Sequence, residues 1–203
     1  DMKKLLHLKA ILLTLCLSVV GGGMTSATAQ TVVFQETFDK CDGTGGGDDQ
    51  WKGTVAATDI TNTLDNWTDV SGWTGVKVYK GAQSVKLGTG KAQGSITSPA
   101  LGFNGAATLT LKARAWNKDN QVITLSLSEG TLSQTEVTLN NAEGETWNVV
   151  NIEITDATPS SQLTISAKNK NDNRFFIDDV TITVSTSGKE AAGLSFGEVT
   201  KFT

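Results

Sequence analysis

Cysteine, proline, histidine and tyrosine are scarce in this chain of 203 residues, with two Cys, two Pro, one His and one Tyr. The histidine, His7, and one cysteine, Cys16, both fall in the first 29 residues, so the remainder holds no imidazole and a single thiol, Cys41. This excludes a histidine-based nucleophile or imidazole metal site from that remainder, together with any intrachain disulfide. Basic runs are missing as well. Without them the chain lacks the electrostatic footprint of a nucleic-acid binder and the cationic face that would hold it on anionic lipid. The longest apolar stretch, residues 10–20, spans only eleven positions and is interrupted by Thr14 and Ser18, too few to cross a bilayer.

That short stretch has another reading. Lys3, Lys4 and Lys9 surround its start, and Ala27-Thr28-Ala29 follows three glycines and a polar segment, which is the three-part pattern of a secretory signal. Leu15 stands before Cys16 where a lipid-modified cysteine needs a small residue, so lipidation there is not expected. The sequence therefore predicts a signal peptide at residues 1–29, cleaved on export, and a product that is secreted or held on the outer cell surface. Losing Lys3, Lys4, Lys9 and Asp1 takes the formal charge from −4 to about −6. The remaining length suits one domain with a sizeable core.

What the remainder does contain is alternation. Residues 107–116 (ATLTLKARAW), 122–128, 135–139, 147–154 (WNVVNIEI), 162–167 and 176–184 (FIDDVTITV) read apolar-polar with a period of two, and helix formers never gather into an amphipathic run. Turn signals rich in Gly, Asn, Asp and Pro separate them. Residues 32–38, 76–79, 84–87 and 94–97 add shorter strands, whereas 51–75 reads as long loops carrying Trp51, Trp67 and Trp73. Many short strands at this spacing predict an all-β fold, an antiparallel β-sandwich over residues 30–185. Residues 186–203 read as a linker or the start of a truncated following domain. The glycine run 43–47 has no following Lys-Ser/Thr or helix, so it predicts a flexible loop rather than a phosphate cradle.

Two carboxylates stand out. Strand alternation puts Glu36 on the face of Phe34 and Phe38, and Asp178 on the face of Phe176, Val180 and Ile182, so both point toward the core. A lone buried carboxylate costs several kcal/mol unless paired or metal-bound. Calcium between the two satisfies them with hard oxygen ligands. Alternatively, Arg174 or Lys86 pairs with one and backbone amides satisfy the other. The segments FQETFD (34–39), SVKLGTGKAQGSITSPAL (84–101) and NRFFIDDVTI (173–182) resemble secreted bacterial galactose-binding-like jelly-roll domains, including family 4/9 carbohydrate-binding modules and related adhesin domains. The resemblance spans about residues 31–185. It implies a jelly roll with a structural calcium site at Glu36 and Asp178, with Asp39 a further candidate ligand.

The tryptophans form a second constellation, since a pyranose presents an apolar C–H surface to an aromatic face. Trp51, Trp67 and Trp73 sit in polar loops and either bind or plug them. Trp116 and Trp147 end or open strands, where packing is the commoner role, and Trp116 is kept as a possible fourth groove residue. Tyr79 fits either group. Asp65, Asp69 and Asp119 are available as acids, but no spacing pairs two of them across a cleft, and Cys41 has no base. The chain is therefore expected not to be an enzyme. It reads as a monomeric, non-catalytic surface or secreted module binding a glycan, with calcium as a structural cofactor. A structural or adhesive domain contacting a surface protein is the alternative.

Overall fold

The computed structural model describes residues 29–53 and 58–186. The expected tail beyond residue 186, and all but the last residue of the expected leader, lie outside them. Twelve strands follow in order: β1 (Ala29–Glu36), β2 (Thr74–Val76), β3 (Val78–Lys80), β4 (Val85–Leu87), β5 (Ser95–Thr97), β6 (Gly105–Ala115), β7 (Val122–Leu127), β8 (Thr131–Leu132), β9 (Glu136–Thr138), β10 (Asn148–Ala157), β11 (Leu163–Ala167) and β12 (Phe175–Thr186). A single 3-10 turn, Leu64–Asn66, is the only helical element among the described residues. None of their helices is long and apolar enough to cross a membrane.

The strands form two antiparallel sheets, so the fold is the all-β sandwich expected from the alternation. One sheet has seven strands in the order β3-β4-β12-β6-β10-β8, with β1 also paired to β12. The other has five, in the order β2-β5-β11-β7-β9. The predicted strand at 76–79 is split between sheets: β2 joins the five-stranded sheet and β3 the seven-stranded one. Lys77 between them adopts φ 54°, the turn that redirects the chain. The core lies between the sheets, where Leu109, Leu111, Ile123, Leu125, Ile152, Ile165, Phe175 and Ile177 are fully or almost fully buried.

β12 organises the seven-stranded sheet. Its first residues pair with β4 on one side and β6 on the other, and beyond Asp179 β1 takes the place of β4. Asp178 stands opposite Lys112 and Thr181 opposite Thr110, so Asp179 and Val180 together face Leu111. This is a β-bulge, with Asp179 at φ 48°. One extra residue reverses the alternation. Phe175, Ile177, Val180 and Ile182 all enter the inter-sheet core, while Phe176 joins a separate cluster on the outer face. The expectation that Asp178 shares a core face with Phe176, Val180 and Ile182 is therefore corrected: the face changes within that segment.

Deleting Asp179 should throw Val180 and Ile182 out of the core. Each costs roughly 2 kcal/mol of burial, a large part of a typical domain's 5–15 kcal/mol. The deletion variant is expected to lose its cooperative thermal transition and near-ultraviolet circular dichroism, whereas Asp179→Asn, which tolerates the same φ, keeps both.

Candidate functional site

Glu36 ends β1 and is fully buried. Its Oε1 accepts from the backbone N–H of Phe38 (3.0 Å) and Asp69 (2.9 Å). Its Oε2 accepts from Asp69 N (2.9 Å), Val70 N (3.1 Å) and the Trp73 indole Nε1 (3.1 Å). Burial pushes the pKa of Glu36 up, and the N–H bonds pull it back. A carboxylate has about four lone-pair sites, and four donor groups occupy them here. Asp69 reciprocates, its Oδ2 accepting from Thr37 N (3.0 Å) and Thr37 Oγ1 (2.5 Å). The end of β1 is thereby tied to residues 69–73, and Trp73 packs against Phe34 and Phe38 at centroid distances of 6.0 and 5.6 Å.

This arrangement does not fit calcium, which needs those same lone pairs. Asp178 turns instead to its neighbour's backbone, accepting from Asp179 N at 2.9 Å, and Lys112 pairs with Asp179 at 2.5 Å. Asp39 is exposed. Among the described residues no group of three or more His, Cys, Asp or Glu side chains is arranged to hold a metal ion. Backbone amides, one of the two alternatives, satisfy Glu36. Neither expected cation pairs with it: Arg174 makes a bidentate pair with buried Asp119 (2.7 and 2.8 Å), and Lys86 lies 4.1 Å over the Tyr79 ring.

The four candidate ligand-binding tryptophans do not assemble into one platform. Trp73 lies in the core and donates to Glu36. Trp67 is half-buried, with the Lys80 ammonium 4.0 Å over its ring. Trp116 is buried, stacked on Phe176 at 6.0 Å and 4°, with the Arg174 guanidinium 4.5 Å away. Trp51 is 5% exposed and meets Phe176 and Trp147 edge-on, at 5.4 and 5.0 Å. Trp73 and Trp116 are both buried against other aromatic rings.

Beside Trp51 the outer face opens into a groove of about 440 Å³. One wall is the loop 41–53. It is not the flexible loop expected from its glycines: Gly43 N donates to Gly81 O (2.8 Å) and Ala82 N to Gly45 O (2.8 Å). At Gly43 a Cβ would lie 2.4 Å from the Lys80 carbonyl oxygen, so the run is glycine because two backbones touch. The other wall is the loop 140–147. Arg114 holds both walls. Register places its side chain in a row with Tyr79, Lys86 and Phe176 across four strands. Its guanidinium lies 4.3 Å over Trp51, and it donates to the carbonyls of Ala115 (2.6 Å), Ala142 (2.6 Å) and Glu145 (3.2 Å).

Gln50, Asn117, Thr146, Asp49 and Glu145 bring hydrogen-bonding groups to this groove. Across it Lys52 and Glu143 form an ion pair at 3.6 Å between exposed side chains. Asn117 N donates to Trp51 O (3.0 Å), yet Asn117 Oδ1 is buried with no hydrogen-bond partner. Buried polar atoms are nearly always paired, so this oxygen, closed off from solvent, is an exception in the wall of the groove. The sequence offered no signal for Asn117 or the 140–147 loop, since neither carries a motif.

Glu36→Ala should lower stability by about 3 kcal/mol or more, because it leaves several buried donors unmatched. Chelation with EDTA should leave the melting temperature unchanged; a drop of several degrees would reinstate a metal. Asp178 gives a pH dependence. Burial, reinforced by Asp179 and Asp39, lifts its carboxyl to about 7 against Asp179 N–H and Lys112. The folded protein then keeps a proton that the unfolded chain releases near 3.8, so this contribution to stability is full below pH 4 and lost as pH rises toward 7. Asp178→Asn should flatten that slope in denaturant titrations and raise stability at pH 7.5 by about 1 kcal/mol, a figure discounted for partial exposure.

No known protein family and no curated protein matches the chain. Among solved structures it is similar to a family 16 carbohydrate-binding module (18% identity, TM-score 0.40), over 63% of this chain and 96% of that one. It is also similar to the K3 cleaved adhesin domain of Lys-gingipain from Porphyromonas gingivalis (14%, 0.41), over 76% and 99%. A third likeness is to the N-terminal cellulose-binding domain of Cellulomonas fimi β-1,4-glucanase C (16%, 0.39), over 64% and 97%. At these values the likenesses do not assign to this chain what those proteins bind.

Proposed function

We propose that this domain is a non-catalytic binding module that takes a saccharide in the groove beside Trp51, within a secreted or surface protein. The groove between the 41–53 and 140–147 loops, with Trp51 in its lining, supports this reading most directly. About 440 Å³ falls within the roughly 300–1,000 Å³ of small-ligand clefts. Its lining of amide, hydroxyl and carboxylate groups suits a ligand rich in hydroxyls, and Trp51 adds an apolar edge at its floor. The groove's acids do not make a hydrolase. Glu143 is exposed and paired with Lys52, and Glu145 Oε2 accepts from Ala142 N at 2.7 Å. Asp49 is exposed too, so none of the three is a desolvated acid of the kind glycoside hydrolysis uses.

Burial of Trp51, Trp73 and Trp116 favours a second reading, a structural or adhesive domain that uses its aromatics only for packing. Affinity electrophoresis and calorimetry against soluble neutral polysaccharides separate the two. The saccharide reading expects retention, weakened roughly fivefold (about 1 kcal/mol) by Trp51→Phe, which keeps most of the aromatic packing. Retention by none of them would favour the adhesive reading.

A further inference from the structure

We infer that the protein has a second saccharide site, a groove between residues 61–66 and 72–75 that takes an uncharged sugar independently of the groove beside Trp51. Its ligand class rests on the saccharide reading above; its place does not. The groove encloses about 570 Å³, again within the roughly 300–1,000 Å³ of small-ligand clefts. None of its lining residues lines the first groove.

Both walls are held from beneath. Leu64, in the 3-10 turn, is buried in the core, and Thr61 Oγ1 accepts from Val78 N at 3.0 Å. The opposite wall runs from Gly72 into β2, the edge strand of the five-stranded sheet. Gly75 packs so tightly there that a Cβ would fall 2.5 Å from Val78 Cγ2 and 2.8 Å from the Ser95 carbonyl oxygen. Trp73, in the same wall, is fixed by its indole bond to Glu36. Asp65 Oδ1 accepts from Gly72 N at 2.7 Å and ties one wall to the other.

The groups that this frame turns to solvent define the ligand. Asn62, Asn66 and Thr74 are exposed, and their side chains make no hydrogen bond among the described residues. Two carboxamides and a hydroxyl offer donors and acceptors together, which is what adjacent sugar hydroxyls need. The lining holds one carboxylate, Asp65, and no cation, so it has no counter-charge for an anionic ligand.

Calorimetry with cellotetraose, mannotetraose and maltotetraose on the wild-type protein should find two sites per chain for whichever sugar binds. Combining Asn62→Ala with Asn66→Ala should leave the melting temperature unchanged, since both side chains are exposed, and weaken one site at least about tenfold through the loss of two hydrogen bonds. Trp51→Phe should weaken only the other. Binding that Trp51→Phe leaves intact and the paired variant abolishes would uphold this site and overturn the one beside Trp51. A paired variant that binds at every site as tightly as the wild type overturns the second site and leaves the saccharide reading standing. Binding of none of the three sugars also overturns the second site, and the saccharide reading falls with it only if no neutral polysaccharide is retained.

Discussion

Two residues of β12, Asp179 and Val180, face a single residue of β6, Leu111, and much of the molecule depends on that mismatch. Before it, Phe175 and Ile177 point between the sheets and Phe176 points out; after it, Val180 and Ile182 point in. The same strand therefore serves the inter-sheet core along its whole length and still plants one phenylalanine on the outer face. Phe176 is the base on which Trp116 stacks and against which Trp51 stands. Arg114, its register neighbour on β6, then binds Trp51 by its guanidinium face and the opposite loop by its N–H groups. The groove walls are thus positioned by Arg114 and its register neighbour Phe176, together with the backbone bonds of the 41–53 loop.

Buried charge is handled in this protein by local donors and by aromatic faces. Glu36 is neutralised by three backbone N–H groups and an indole, and the cost of burying it is offset because the segment 69–73 wraps onto the end of β1. Lys86 is 7% exposed; burial and the nearby Arg174 lower its pKa to about 8, and it lies over the rings of Tyr79 and Trp116. Arg174 is neutralised by Asp119. Each ionic group thereby ties two chain segments together, which suits a sandwich without disulfides. Cys41, the one thiol among the described residues, is buried and its pKa is pushed up to about 12, so it is inert.

Much of the architecture was legible in the sequence because alternation is a local property. The segments at 107–116, 122–128, 147–154 and 162–167 became β6, β7, β10 and β11 with the expected faces inward. Glu36 was rightly placed inward by the same reasoning, and the need to satisfy it was rightly foreseen. What satisfies it was not. Three of its four donors lie more than thirty residues away, and the backbone N–H groups among them carry no sequence signature. The tryptophans misled for a related reason: a polar sequence neighbourhood says nothing about the phenylalanine or arginine that tertiary packing brings to the ring.

By itself the sequence determined that residues 30–185 form an antiparallel sandwich with one cysteine and no histidine, since period-two patterning and composition need no distant partner to be read. Only the tertiary structure decided which way Phe176 and Asp178 point, that Glu36 meets backbone and indole donors, and that Asn117 is left with an unmatched buried oxygen. Each of those depends on contacts between segments far apart in the chain. A bulge of one residue, or one guanidinium spanning two loops, has no periodicity for a sequence to display.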